Sequence, residues 1–204
     1  MPATRTVLAR GTLVYLRRPA QRDAAPFLTA VETSRRLHRL WVQPPSTPSR
    51  YATYVRRFSG AKSRDLKHAT HVGMLVCRQQ DHAPVGVFNF SEIVRGAFQS
   101  AYLGYYGFAQ HVGRGYMSEG LALVLRLGFG TLRLHRIEVN VQPENAPSIS
   151  LVRRGGFTRE GFSRRYVKIA GRWRDHERWA LLAEDWRVAR KQSRTAIGST
   201  RDSL

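Results

Sequence analysis

Acidic residues are scarce in this chain. Its 204 residues hold 14 Asp and Glu against 34 Lys and Arg, a formal net charge of +20. Lysine is scarcer still: thirty of the 34 basic residues are arginine, and no lysine lies from 68 to 167. That gap excludes a P-loop, which needs Gly-Lys-Ser/Thr at the end of a longer glycine loop. A single cysteine, Cys77, excludes an internal disulfide. It sits in an apolar run and reads as a buried, inert thiol. The seven histidines are scattered without the paired spacing of a zinc site, so no metal is expected. No apolar run approaches the roughly 18 residues of a membrane span, and no apolar signal core stands at the N-terminus. The chain reads as cytoplasmic. Positive charge of this size favours polyanions such as nucleic acid, ribosomes, acidic proteins or the phosphates of a cofactor. An arginine-rich composition spread over a solvated surface explains the same count, so charge alone names no partner.

The length predicts one domain with a substantial core. Residues 1–9 read as a flexible lead-in, 10–187 as the domain and 188–204, rich in Arg, Ser, Thr and Gly, as a disordered basic tail. Gly11 to Arg18 alternates as a first strand and stops at Pro19. Asp23 is placed to cap a helix running to about Val31. Tyr51, Tyr54, Val55 and Phe58 follow i, i+3, i+4, i+7 spacing and predict an amphipathic helix. Thr70 to Arg78 and Pro84 to Val94 read as antiparallel strands around the turn Asp81-His82-Ala83. In His135 to Val141, Ile137, Val139 and Val141 share one face, as in a half-buried strand. Asn145 and Pro147 fit a helix start, and Gly155 or Gly156 its end. Phe157 to Ile169 and Arg172 to Leu182 read as two strands joined at Ala170-Gly171. The whole is an α/β sheet layered with helices.

The most informative stretch is Gln110-His111-Val112-Gly113-Arg114-Gly115. It lies between a β-like run, Ala101 to Phe108, and a helix-like run from Met117 to about Phe129. The first turn of a helix carries unpartnered N–H groups and partial positive charge. Glycines let a phosphate approach that backbone closely. A dinucleotide fingerprint requires a third glycine where Ser118 stands. The reading left is a pyrophosphate cradle, beside the plainer one of a glycine-softened turn without ligand.

Gln-x-x-Gly-x-Gly resembles the acetyl-CoA pyrophosphate loop of the GNAT acetyltransferases. Asn145-Ala-Pro-Ser148 leading to Gly155-Gly156-Phe157 resembles that family's second signature. Further stretches are similar to the RimJ branch, the ribosomal-protein N-terminal alanine acetyltransferases. They are Val85 to Ser91, Val94 to Phe98, Tyr102 to Tyr105, Arg159 to Phe162, Gly171-Arg172-Trp173-Arg174-Asp175-His176 and Asp185-Trp186. The resemblance spans roughly residues 10 to 187 and is densest from 84 onward. It implies a GNAT fold: a mixed, mostly antiparallel sheet of about seven strands, splayed in the middle and flanked by helices. It also implies acetyl-CoA as cosubstrate and acetyl transfer to a protein N-terminus.

On that resemblance, the coenzyme is expected at Phe108, Ala109, Gln110, Val112, Gly113, Arg114, Gly115, Tyr116, Met117 and Ser118, with Asn145 on the pantetheine arm. An unpaired N–H near Phe108 is the expected oxyanion donor. Ser148 resembles the serine that passes a proton to the coenzyme sulfur; Asn145 and Ser148 equally suit a helix start. The glutamate used as base in related RimL enzymes corresponds to Val167 here. An α-amino group, with a pKa of about 7.7–8.0, needs no strong base, so a water relay is the default, with Glu92 and Tyr166 as side-chain candidates. Glu119, in the first helical turn, is explained by the helix dipole. Trp41, Arg95, Tyr102 and Trp173 are the expected acceptor contacts. The partners implied are a ribosomal-protein N-terminus, with rRNA touching the basic surface, and a monomer or homodimer. Two other readings stand beside this one: a small amine or antibiotic as acceptor, and a basic ribosome- or RNA-binding factor with minor catalysis, although no named RNA motif is present.

Overall fold

Alternation along the strands decides the layering. The computed structural model describes residues 7–59, 65–66 and 68–199. The strands are β1 (Val7–Arg10), β2 (Val14–Arg17), β3 (Val72–Arg78), β4 (Pro84–Val94), β5 (Ser100–Gly107), β6 (Arg136–Val141), β7 (Thr158–Ile169) and β8 (Arg172–Leu182). The helices are α1 (Ala24–Thr33), α2 (Arg35–His38), α3 (Pro48–Ser59), α4 (Tyr116–Arg126), α5 (Ala146–Arg154) and α6 (Ala183–Ser199). The strands form one eight-stranded sheet in the order β1-β2-β3-β4-β5-β6-β8-β7. Every pairing is antiparallel except β5 with β6.

Successive side chains of a strand point to opposite faces. On β3, Val72, Met74 and Val76 join a core under α4 and α5, while Leu75 and Cys77 join a second core under α1 and α3. On β5, Ala101, Leu103 and Tyr105 face the first layer and Tyr106 the second. Cys77 is fully buried, which pushes its thiol pKa up. Among the described residues, no helix is long and apolar enough to cross a membrane.

Three expectations change. The sheet has eight strands because Val7–Arg10 pairs with β2 rather than trailing loose. Residues 188–199 continue α6 instead of forming a tail; 200–204 lie outside the described residues. Trp186 anchors that helix, its ring 5.2 Å from Phe129, with Arg190 4.7 Å above it. Asp23 does not cap α1. Its carboxylate closes the preceding turn by accepting the Ala20 N–H (2.9 Å) and is gripped at both oxygens by the Arg17 guanidinium, 2.6 and 2.8 Å away.

The Arg17–Asp23 pair is buried on both sides. Removing one partner of such a pair strands the other charge away from water, at about 3–5 kcal/mol. Asp23→Ala is therefore expected to lower the urea midpoint by an amount equivalent to roughly 3 kcal/mol or more, with little change in the slope of the transition.

Candidate active site

The parallel pair β5–β6 is in register over three positions: Ser100 with Arg136, Ala101 with Ile137, and Tyr102 with Glu138. Beyond them β5 runs on to Gly107 and β6 to Val141 without pairing, so the sheet splays there. Main-chain groups of an antiparallel strand alternate between its edges. The Phe108 N–H donates to the Val85 carbonyl at 2.9 Å, toward β4. The groups of Tyr106 and Gly104 therefore also face β4, and those of Tyr105 and Gly107 face the opening. This corrects the sequence expectation for Phe108 and Ala109. The Ala109 N–H is taken by Ser34 Oγ at 2.9 Å, and the Phe108 ring is buried against Phe27. The unpaired donors lie one and three residues before Phe108, not at it.

Gly113 and Gly115 both hold positive φ, +74° and +78°, which costs a side-chain-bearing residue about 1–2 kcal/mol. A Cβ on either would meet nothing within 4 Å, so the space above this backbone is open. The first N–H here to find an acceptor is that of Glu119, which donates to the Gly115 carbonyl at 3.1 Å. Those of Gly113 through Ser118 have none among the described residues. The result is a fan of donors at the positive end of α4, the geometry that binds phosphate. Arg114 is exposed beside it. Burial, then the charges of Arg78 and Arg114, lower the pKa of His111, which keeps its ring neutral at the loop. Met117 points inward, its side chain lying over Gly86 and Gly107. Glu119 turns away from the fan: its carboxylate accepts the N–H groups of Thr12 and Leu13 (2.8 Å for Leu13), tying the β1–β2 turn to α4.

Across the opening, Asn145 caps α5, its Oδ1 accepting the Ser148 N–H at 3.2 Å. That cap fixes Ser148 on the first turn, where its Oγ lies 2.6 Å from the Tyr105 hydroxyl. Burial pushes the Tyr105 pKa up to about 12, so the phenol keeps its proton. The two residues bridge β5 and α5 over the splay. Tyr105 and Ser148 are 43 residues apart, and only the fold brings them together.

On the other face lies a groove of about 400 Å³. Its walls are Val42 to Pro45, Tyr54 and Arg57 on α3, and its floor is Asn89 with Gly104 to Tyr106. Tyr54 donates to Asn89 Oδ1 at 2.9 Å. Gly104 stands opposite Asn89, and a Cβ there would project into open space. Among the buried polar atoms with no hydrogen-bond partner in the described residues are the Tyr106 hydroxyl and Asn140 Oδ1 on the splayed half of β6. His38 tethers the strand end, its Nε2 donating to the Gly107 carbonyl at 2.8 Å.

The remaining candidates fall in separate places. Glu92 sits at a bulge of β4 with φ +48°, its carboxylate 3.5 Å from Arg57 and 3.4 Å from His71. Tyr166 neighbours Tyr102, and its hydroxyl, followed by burial, pushes the Tyr102 pKa up to about 12. Neither Glu92 nor Tyr166 contacts Ser148. Arg95 is structural: its guanidinium donates to the carbonyls of Leu132 (2.6 Å) and Leu66 (2.8 Å). Trp41 is not among the groove residues; its neighbours Val42 to Pro45 are. Ala180 stands opposite Glu138 and so shares the groove face with Tyr102, whereas Trp173, an odd number of residues away, faces the other side.

Replacing Gly115 by alanine forces a choice between strain and a relaxed turn that swings the N–H fan aside. Affinity for coenzyme A is expected to fall roughly 5- to 30-fold, the equivalent of that 1–2 kcal/mol, as read by calorimetry.

Residues 14–158 match the model of the acetyltransferase (GNAT) domain. The [Ribosomal protein uS5]-alanine N-acetyltransferase of Escherichia coli (strain K12) is 42% identical over 106 residues, 52% of this chain and 55% of that protein. The probable N-acetyltransferase YjcK of Bacillus subtilis (strain 168) is 39% identical over 115 residues, 56% of this chain and 62% of that protein. The matched stretch thus spans little more than half the length of these curated relatives. Among solved structures, Mycobacterium smegmatis RimJ in complex with CoA-disulfide superposes with a TM-score of 0.77 at 28% identity, covering 84% of this chain and 83% of that one. With the domain model matched over most of its length, this chain belongs to the GNAT acetyltransferase family.

Proposed function

We propose that the protein transfers the acetyl group of acetyl-CoA to the N-terminal α-amino group, alanine in type, of a ribosomal protein. The observation that carries this reading is the splay between β5 and β6. A donor fan lies at one end of it, a hydroxyl pair on one face, and a groove of about 400 Å³ on the other. The resemblance to ribosomal-protein alanine acetyltransferases supports the acceptor class.

The residues present suit the coenzyme. The N–H groups of Gly113 to Ser118 hold the diphosphate, and Arg114 adds charge. The main-chain groups of Tyr105 and the Gly107 N–H hold the pantetheine as a further strand would, the Gly107 carbonyl being taken by His38. That leaves the thioester in the opening, its carbonyl against the Tyr105 or Gly107 N–H. Asn140 Oδ1 and the Tyr106 hydroxyl oxygen, both buried and unpartnered among the described residues, accept hydrogen bonds from the N–H groups of the incoming amine. The neutral amine nitrogen attacks the carbonyl carbon; the N–C bond forms and the C–S bond breaks. Ser148 Oγ gives its proton to the departing sulfur and is reprotonated from the Tyr105 hydroxyl. Water carries off the proton shed by the amine and returns one to Tyr105. No side-chain base is needed, because an α-amino group is partly neutral near pH 7.

Incubation with acetyl-CoA and a ribosomal extract, followed by mass measurement of each protein, is expected to find one ribosomal protein gaining an acetyl group at an N-terminal alanine. Acetylation confined to lysine side chains or small amines contradicts the reading. The rate at low substrate is expected to rise with pH through about 8 as the amine loses its proton. It should then hold level to about pH 10, because the Tyr105 phenol, with its pKa near 12, stays protonated. Ser148→Ala is expected to lower kcat by about 100-fold, the usual scale for a proton donor, with coenzyme affinity little changed.

A further inference from the structure

The groove face of the sheet carries more positive charge than the fold uses. Even-numbered residues of β8 share the face of Glu138 and Tyr102, which puts Arg172, Arg174 and Arg178 in one row there. None of the three has an ion-pair partner among the described residues. Two carboxylates near the row, Glu138 and Glu160, are already engaged by Arg136, whose hydrogen bond lowers the Glu160 pKa, and the Arg178 charge also lowers it. Arg136 holds Glu138 (2.8 Å) and takes both oxygens of Glu160 (3.0 Å for one). Arg174 is half-buried, and its Nε is shut off from water without an acceptor. A partly buried cation without a counter-charge is costly unless something anionic meets it.

The row also has a direction. Arg178 stands opposite Asn140, on the splayed half of β6, so the row begins one strand from the opening, with the Arg178 guanidinium lying over Gly161 of β7. Arg174 lies four residues further along the strand, about 13 Å at the usual rise, beyond the last pairing of β6 at Val141–Glu177. A polypeptide whose terminal amine enters the opening and which leaves extended along β8 covers that distance with about four residues.

We infer that the acceptor is acidic: a polypeptide carrying Asp or Glu within about its second to fifth residues, whose carboxylates seat on Arg178 and Arg174. This rests on the N-terminal acetyl-transfer reading and adds to it the chemistry that selects the chain. Arginine suits the task because its planar fork accepts a carboxylate through two parallel hydrogen bonds. Nucleic acid would meet the same charges, but the row lies along the groove face and starts one strand from the amine's entry, where a peptide must pass.

The test uses the full chain, acetyl-CoA and peptides beginning with alanine, matched except at positions 2 to 5, which hold Asp/Glu, Asn/Gln or Lys. The acidic peptide is expected to show a KM about tenfold below the amide peptide and still further below the lysine peptide. The gap should narrow with added salt and disappear in the Arg174→Gln, Arg178→Gln double variant. Equal KM values across the three peptides overturn the inference while leaving N-terminal transfer intact. No turnover on any of them overturns the N-terminal reading and this inference with it. Equal peptide kinetics together with loss of single-stranded RNA binding in the double variant assigns the row to nucleic acid instead, and likewise overturns it.

Discussion

Where β5 and β6 stop pairing, at Tyr102 and Glu138, each strand keeps main-chain donors and acceptors with no sheet neighbour. Inside a sheet such groups are costly unless partnered, so the opening must be held apart and its groups used. Several contacts hold it. His38 ties the end of β5 to α2. Gln142, just past β6, donates to the Leu40 carbonyl at 3.0 Å. Tyr105 reaches Ser148 across the gap. The strands are held apart by contacts with α2, the segment just after it, and α5, and the freed edge of β5 is the natural bed for an extended amide-bearing ligand.

The two faces of the sheet divide the chemistry. Under α4 and α5 lie the donor fan and the Ser148–Tyr105 pair, built on glycines, a capping asparagine and a phenol that keeps its proton. On the opposite face lie the groove beneath α3 with the Tyr106 hydroxyl and, further across the sheet, Asn140 and the arginine row. The opening is where the faces communicate, which is the requirement for direct transfer between two bound reactants without a covalent enzyme intermediate.

Local signals carried much of this. The hairpin β7–β8 was legible because Ala170-Gly171 adopts positive φ at both positions, as a two-residue turn requires. The glycine loop was legible for a similar reason: spacing and backbone freedom are written in consecutive residues. What escaped depended on pairings between distant segments. The splay is a register between residues 36 positions apart, so the donors near Phe108 were placed on the wrong residues. Trp173 and Tyr102 both looked like cleft aromatics, and strand parity sets them on opposite faces. Arg95 looked like a recognition residue and instead stitches two loops by their carbonyls. α6 escaped because its arginine-rich continuation has little apolar content apart from Trp186. Asn140 was passed over as one polar residue of an alternating strand; its significance comes from the buried, unpaired oxygen.

The central claim is that the backbone N–H groups of Gly113 to Ser118 grip a diphosphate. Amide hydrogen exchange read residue by residue, with and without saturating coenzyme A, addresses it directly. Strong slowing at those six amides, with the core strands β3 and β4 unchanged, is the predicted result. Binding of the coenzyme that leaves the six amides exchanging as fast as before would contradict it.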